Sequence, residues 1–578
     1  MNLADVSAQL RAAGFAARDL LALAYAPGVG VGLAAGGRAW ALAGTDASGV
    51  VCALEAEFGP RWLWWSGDTA AALIADGVRV SACWDLAAVH RVLFGGWNAD
   101  PATVWAALHE LSAESVPGLG QLDLLRPSGD DGGDPQDPVR PDRYLRPEWA
   151  GGGWARTPQR LQRWAATAQT AAARQRERLA ALTVRGDQLA GAHCESAAEL
   201  ICAELAADGL PVDVVRAEQL IASFVGVRPS SDAEAEQFRR RRDSVVLTAA
   251  PGAEGTDLRN PAQVRAMLAR LGFEVPDTRS WRLEPFRGAH PVIEVLLSWR
   301  KAERIATTFG YGWLDANVGA DGRLRGAWTG CDGAAGRMTA GAGLHNLPGE
   351  LRPAIVAEPG FVFVRADLGQ IEPRVLAAIS ADRALAAATA DDDLYAPVAA
   401  RLAVERKVAK VAVLAAMYGG TSGTAADALR GLESAYPVAM RYLKHAYDDG
   451  RAARDVRTFG GRLVRMWPTP PGLDAEAARA HASARGRYAR NAVVQGSAAE
   501  LFKAWAATLR AQLAAFGAQI VLCLHDELLV HVPIAHAEAV RQGLHDCLDE
   551  AARRWTGGAP VRFVADVSVI TRWSDAKP

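Results

Sequence analysis

The stretch LCLHDELLVHV, residues 522–532, sets His525, Asp526 and Glu527 between two apolar runs with strand character. Carboxylates left unpaired near a core cost free energy, so something must offset them here. A metal ion, a cationic partner or a solvent-exposed hairpin tip would each do so. Turns favour Gly, Asn and Pro, and His-Asp-Glu supplies none of them, which puts a functional reading ahead of a plain polar turn.

The chain has 578 residues, too many for one compact core, so three or four domains are expected. Half the residues are hydrophobic (50%) and 22% are charged, an ordinary balance for a globular protein. No run of eighteen apolar residues predicts a membrane span. The start, MNLADVSAQLRAAG, lacks an apolar segment after its first residues and does not read as a secretory signal. Seven scattered cysteines without a CxxC pair fit reduced thiols in the cytoplasm better than a disulfide framework or a zinc site. A net charge of −2 neither suggests nor excludes a nucleic-acid partner, since binding depends on where the charge lies.

Residues 1–125 alternate short apolar runs with Ala-rich helical stretches and read as an α/β domain. The Pro-, Gly- and Asp-rich segment 127–153 is expected to be an unpacked linker. A long helix is predicted from Pro158 to Leu182, and mainly helical structure over 195–310 and 380–450. FRRRRD, at 238–243, is either a phosphate-tracking patch or a solvated cluster.

Two further stretches bear on the His-Asp-Glu hairpin. FVFVRADLGQIEPR (361–374) is an apolar strand ending in Asp367, with Glu372 and Arg374 just beyond it. A carboxylate at a strand end suits a hard cation such as magnesium; alternatively, Asp367 caps the following helix. In ERKVAKVAVLAAMYGG (405–420), Arg406, Lys410, Leu414 and Tyr418 recur every four residues and drift slowly around one helix face. The set spans about 18 Å and would offer phosphate-binding cations at one end and a planar ring at the other. A solvated basic face is the plain alternative. Carboxylates on two strand ends with a cationic helix between them in sequence are the parts that two-metal phosphoryl transfer needs.

DLGQIEPR, RKVAKVAVLAAMYG and HDE resemble motifs A, B and C of the family A DNA polymerases, the bacterial DNA polymerase I group. AAGRMTAGAGLHNLP (334–348), TFGGRLVRMWP (458–468), RYARNAVVQGSAAELFK (487–503) and HPVIEVLLSWRKAERIATTF (290–309) resemble further segments in the family's order, so the likeness covers roughly 195–578. It implies a multidomain α/β and α+β chain. A degenerate, RNase H-like 3′–5′ exonuclease domain at 1–184 would precede a right-hand polymerase with an antiparallel palm sheet. That polymerase comprises a thumb at 185–290, palm at 291–378, fingers at 379–470 and second palm segment at 471–578. The span from Asp367 to Arg406 is shorter than usual in the family, suggesting trimmed fingers.

The resemblance also implies roles. Asp367 and Asp526 become the ligands of two magnesium ions, or manganese, and Glu527 a supporting acid. Arg406 and Lys410 hold the triphosphate, and Lys410 is the acid for pyrophosphate. Tyr418 and Glu372 close the sugar side, where a carboxylate leaves no room for a 2′-hydroxyl. Gln370, Leu414 and Tyr395 complete the nucleotide site. Arg337, Arg487, Asn491, Gln495 and His525 fall near the primer end or minor groove. The implied partners are primer–template DNA and dNTPs, for a cytoplasmic monomer without membrane attachment.

There are departures. Leu414 stands where Phe or Tyr is usual, Leu368 replaces a Tyr after the first aspartate, and Pro373 replaces an apolar residue. In the N-terminal domain, LALAYAPGVGVGLAAGGRAWAL (21–42) contains no acid where the exonuclease has DxE. The YxxxD positions hold Trp164 and Ala168, which leaves Asp85 as one carboxylate of four and predicts no proofreading. No separate 5′-nuclease domain fits the length. A single-subunit phage-type RNA polymerase and a non-catalytic DNA-binding relative remain the alternatives; Glu372 and the His-Asp-Glu triplet favour DNA synthesis over the first.

Overall fold

A computed structural model describes residues 2–44, 46–118, 133–419, 425–524 and 526–576. The chain divides into two compact units, one of Met1–Asp208, Ala327–Thr339 and Val364–Val569, the other of Gly209–Gly326, Ala340–Phe363 and Ile570–Pro578. The first break along the chain falls after Asp208. The helix Gln188–Asp208 groups with the first unit.

The first unit opens with a five-stranded sheet in the order Arg38–Ala43, Gly30–Ala35, Leu20–Ala26, Arg61–Trp64, Cys83–Asp85. Gly30–Ala35 runs antiparallel to both of its neighbours, and the last two strands run parallel to Leu20–Ala26. The helix Pro158–Ala180 lies so close that a Cβ at Gly32 would fall 2.1 Å from the Leu161 carbonyl, which explains the glycine. Segment 127–153 does not behave as a free linker over its described part, from residue 133. Leu145 and Trp149 are buried in the core, Val139 bridges Leu145, and the Trp149 indole donates to the Pro135 carbonyl. Its few large apolar side chains outweigh the polar composition that suggested a linker.

The same unit holds a four-stranded sheet in the order Gln519–Leu524, Glu527–Pro533, Phe361–Leu368, Ala565–Ile570. The first two strands form an antiparallel hairpin closing at the Leu524–Glu527 pair, with a register shift between Ile520 and Leu522. Both are almost wholly buried, as their continuous apolar runs require. The helix Ala475–Leu513, capped by Asp474, runs 39 residues beside them. Its Lys503 is fully buried and donates to Glu195 at 2.7 Å; Arg462 pairs with the same carboxylate. Further along, Arg510 donates to both Glu204 oxygens and to the carbonyls of Val80 and Ser81.

The second unit is mainly helical, with Val246, Leu268 and Leu296 at its core. FRRRRD lies on the helix Asp232–Thr248. Arg239 and Arg240 pair with Glu236, and Arg242 approaches Glu303 at 3.5 Å. Much of that cluster's charge is thus met by neighbouring acids, which favours the surface-cluster reading over phosphate tracking. No described helix is long and apolar enough to cross a membrane, and the seven cysteines are free thiols.

Candidate active site

Asp367 is the last residue but one of the central strand, Phe361–Leu368, and does not cap the next helix. That helix, Ile371–Ser380, begins after Gln370, which sits at φ 55° and makes no side-chain cap. The Leu368 amide donates to the Asp526 carbonyl at 2.8 Å, so the strand end and the hairpin turn lie side by side. Burial, and next the neighbouring Asp367 carboxylate, push the Asp526 carboxyl up to about 6. The two carboxylates lie close enough to act on one another, and their hard oxygens fit magnesium. No set of three or more metal-ligating side chains gathers among the described residues. The remaining ligands would come from substrate and water, the usual arrangement for magnesium at phosphate-transfer sites. His525 lies outside the described residues.

Glu527 is buried and accepts from Arg365 at 2.8 Å, an arginine that also holds Asp367. Beside these acids is a cleft of about 260 Å³ whose lining includes Arg337, Gln370, Glu372, Tyr395, Leu414, Tyr418 and Asp526. The helix Arg406–Tyr418 buries Ala409, Ala412, Val413, Ala416 and Met417, and turns the opposite face outward. Arg406, Lys410 and Tyr418 are exposed on that face, and Leu414 is half-buried. Gly419 ends the helix at φ 90°, where a Cβ would also strike Arg487 and Arg490.

A hydrogen-bonded chain fixes the cleft's wall. Arg337 Nη2 donates to Glu372 Oε1 at 2.9 Å, the Tyr418 hydroxyl donates to Glu372 Oε2 at 2.5 Å, and Gln495 Nε2 donates to that hydroxyl at 3.3 Å. Burial, followed by Glu372, raises the Tyr418 phenol above its ordinary value, so it remains a donor at neutral pH. Arg487, Asn491 and Gln495 recur every four residues on the long helix and share one face. At the far end, Asp393 receives Arg406 Nε at 2.5 Å and Gln370 Nε2 at 2.9 Å, and Arg406 also lies over the Tyr395 ring. Gln370 Oε1 further accepts from the Leu394 amide, so this side chain organises the loop as well as lining the cleft.

Sequence reasoning assigned no role to three residues. Arg365 is a lone cation inside an apolar strand, and that oddity was the available signal. Arg374, fully buried, donates to the carbonyls of Thr389, Asp391, Asp392 and Arg562 and so shapes the loop that carries Asp393. Asp393 itself was hidden in the run DDD, where nothing distinguishes one acid from its neighbours.

The sequence model of DNA polymerase family A matches residues 235–575. The chain belongs to DNA polymerase family A. DNA polymerase I of Deinococcus radiodurans is 31% identical over 327 residues, which is 51% of this chain and 33% of that protein. The thermostable DNA polymerase I of Thermus filiformis is 28% identical over 329 residues, 52% of this chain and 38% of that one. The DNA polymerase theta of Caenorhabditis elegans is 26% identical over 344 residues, 54% and 20% respectively. The chain thus spans about a third of the length of the bacterial family members it matches. A solved structure of the POL domain of Pol1 from M. smegmatis, in complex with DNA primer-template and dNTP, superposes with a TM-score of 0.68. It covers 99% of both chains at 20% identity, a likeness of fold.

Among the described residues, the strands of the N-terminal sheet of this family A chain carry one acid, Asp85. Asp85 is buried at the end of its strand, where it accepts from the Ala88 amide at 2.8 Å and the Trp64 indole at 3.0 Å. It caps the helix Leu86–Phe94. Trp164 stacks on Trp65 at 4.7 Å and also meets Trp149 and Trp154. Burial, then Glu199, raises the Asp85 carboxyl to about 7. A carboxyl raised on folding contributes most to stability below its unfolded value and loses that contribution as pH climbs through its folded value. Asp85→Asn is therefore expected to raise the melting temperature at pH 8 relative to the parent, with the gain shrinking by pH 5. Paired melts at the two pH values check this.

Proposed function

We propose that this protein is a template-directed DNA polymerase that joins dNTPs to a primer 3′-hydroxyl. The observation that carries the reading is the meeting of Asp367 and Asp526 beside a cleft walled by Glu372 and Tyr418. The 3′-oxygen attacks the α-phosphorus, the bond to the bridging oxygen breaks, and pyrophosphate leaves. Two magnesium ions, or manganese, held by Asp367 and Asp526, would supply a more acidic primer hydroxyl and charge neutralisation on the triphosphate. Lys410 and Arg406 meet the triphosphate, and Lys410 protonates the departing pyrophosphate. Arg406 must exchange Asp393 for phosphate as the helix Arg406–Tyr418 closes on a correct pair. Glu372 bars a 2′-hydroxyl, and Gln495, Asn491, Arg487, Arg337 and His525 are assigned to binding the primer–template.

The N-terminal domain is read as an RNase H-like scaffold without proofreading. Its strand order, the Asp85 cap and the tryptophan cluster support that reading. Primer extension with dNTP or NTP pools, with and without magnesium, tests the proposal. The expected result is magnesium-dependent extension with dNTPs and no trimming of a mismatched end. Extension with NTPs alone would favour a phage-type RNA polymerase, and binding without extension a non-catalytic relative.

A further inference from the structure

Arg365 stands two residues before Asp367 on the central strand, so the two side chains leave the same face of the sheet. It is 2% exposed. Its Nη2 donates to Asp367 Oδ2 at 2.5 Å and its Nε to Glu527 Oε1 at 2.8 Å. Nη1 lies 3.8 Å from Asp566 Oδ2 and makes no hydrogen bond among the described residues. One guanidinium is thus built into the acids that would hold the metal.

We infer that Arg365 is a resident counter-ion that sets the divalent-metal affinity of the site, by neutralising Asp367 and Glu527 and competing with the cation for Asp367. The inference rests on the reading of Asp367 as a metal ligand. Arginine keeps its charge at any accessible pH, so this cation cannot retire by losing a proton. It cannot swing into solvent either, because it is enclosed and Glu527 anchors its Nε. A metal ion therefore meets an Asp367 with one oxygen already engaged and a positive charge within a few ångströms, poorly screened by salt. Glu527, in turn, is the arginine's partner and not a metal ligand. Arg365 is a positioning residue: it acts on the reaction through Asp367.

Manganese titration of the full chain without DNA or nucleotide, read by the electron paramagnetic resonance signal of free Mn²⁺, tests this apart from turnover. Arg365→Gln is expected to bind Mn²⁺ about tenfold more tightly than the parent. Arg365→Lys keeps the charge and is expected to stay within about threefold. Unchanged or weaker binding by Arg365→Gln overturns the inference. If that variant does not fold, Arg365→Gln with Glu527→Gln removes both buried charges together, and the same tightening is expected. Loss of the fold in both cases also overturns it, since Arg365 would then be an element of the core alone. Asp367→Asn separates the premise: Mn²⁺ affinity equal to the parent's would refute the metal-ligand reading itself.

Discussion

Asp526→Asn is expected to lower the rate of primer extension by at least about a thousandfold while changing primer–template affinity no more than about twofold. The amide fills the same volume at the hairpin turn but removes one of the two charges needed to hold a divalent cation. Single-turnover extension beside a fluorescence-anisotropy titration of the DNA makes the comparison. Misfolding is not the expected cause of the loss. The Asp526 carboxyl is raised to about 6 by burial and by Asp367, so its ionised form opposes folding at pH 8 when no metal is bound. The asparagine variant should therefore melt higher than the parent in chelator at pH 8, and by a smaller margin at pH 5. A variant that extends primers at a tenth of the parental rate would remove Asp526 from the reaction.

Glu372→Ala is expected to reduce discrimination against ribonucleotides by about a hundredfold or more, read as the ratio of kcat/KM for a dNTP to that for the matching rNTP. The carboxylate is held from two sides, by Arg337 at 2.9 Å and by the Tyr418 hydroxyl at 2.5 Å, and cannot swing aside to admit another oxygen. Truncation opens that space. It also releases Tyr418, so the dNTP efficiency itself should fall modestly through KM. Glu372→Gln keeps the volume and both contacts in altered form and should retain most of the discrimination. Loss of discrimination in the glutamine variant equal to that in the alanine variant would show that charge, not bulk, excludes the 2′-hydroxyl.

The residues of the candidate site stand out in the sequence because they interrupt regular patterns. Asp367 ends a strand of apolar residues, His525–Glu527 breaks a second apolar run, and Arg406 to Tyr418 recur at a helical interval. Each break shows in a short window of sequence. Partnerships between distant residues do not. Nothing local reveals that Arg365 would face Glu527, 162 positions away, or that Asp393 would take both Arg406 and Gln370. The segment 127–153 failed for a related reason: its Pro, Gly and Asp content describes the local backbone, whereas Trp149 is placed by the tryptophans around it. The helix Gln188–Asp208 likewise has charged positions whose partners lie far off in sequence, as Glu195 shows by pairing with Lys503 of the long helix.

The fastening of Lys503 and Arg510 to Glu195, Glu204 and the carbonyls of Val80 and Ser81 ties the long helix to the N-terminal sheet. Cutting the gene ahead of Gln188 would strip Arg510 of two carbonyl acceptors and bare the apolar flank of that helix to water. Residues 1–187 are therefore expected to be inseparable from the rest of the chain, and a protein begun at Gln188 should melt well below the full chain or be recovered insoluble.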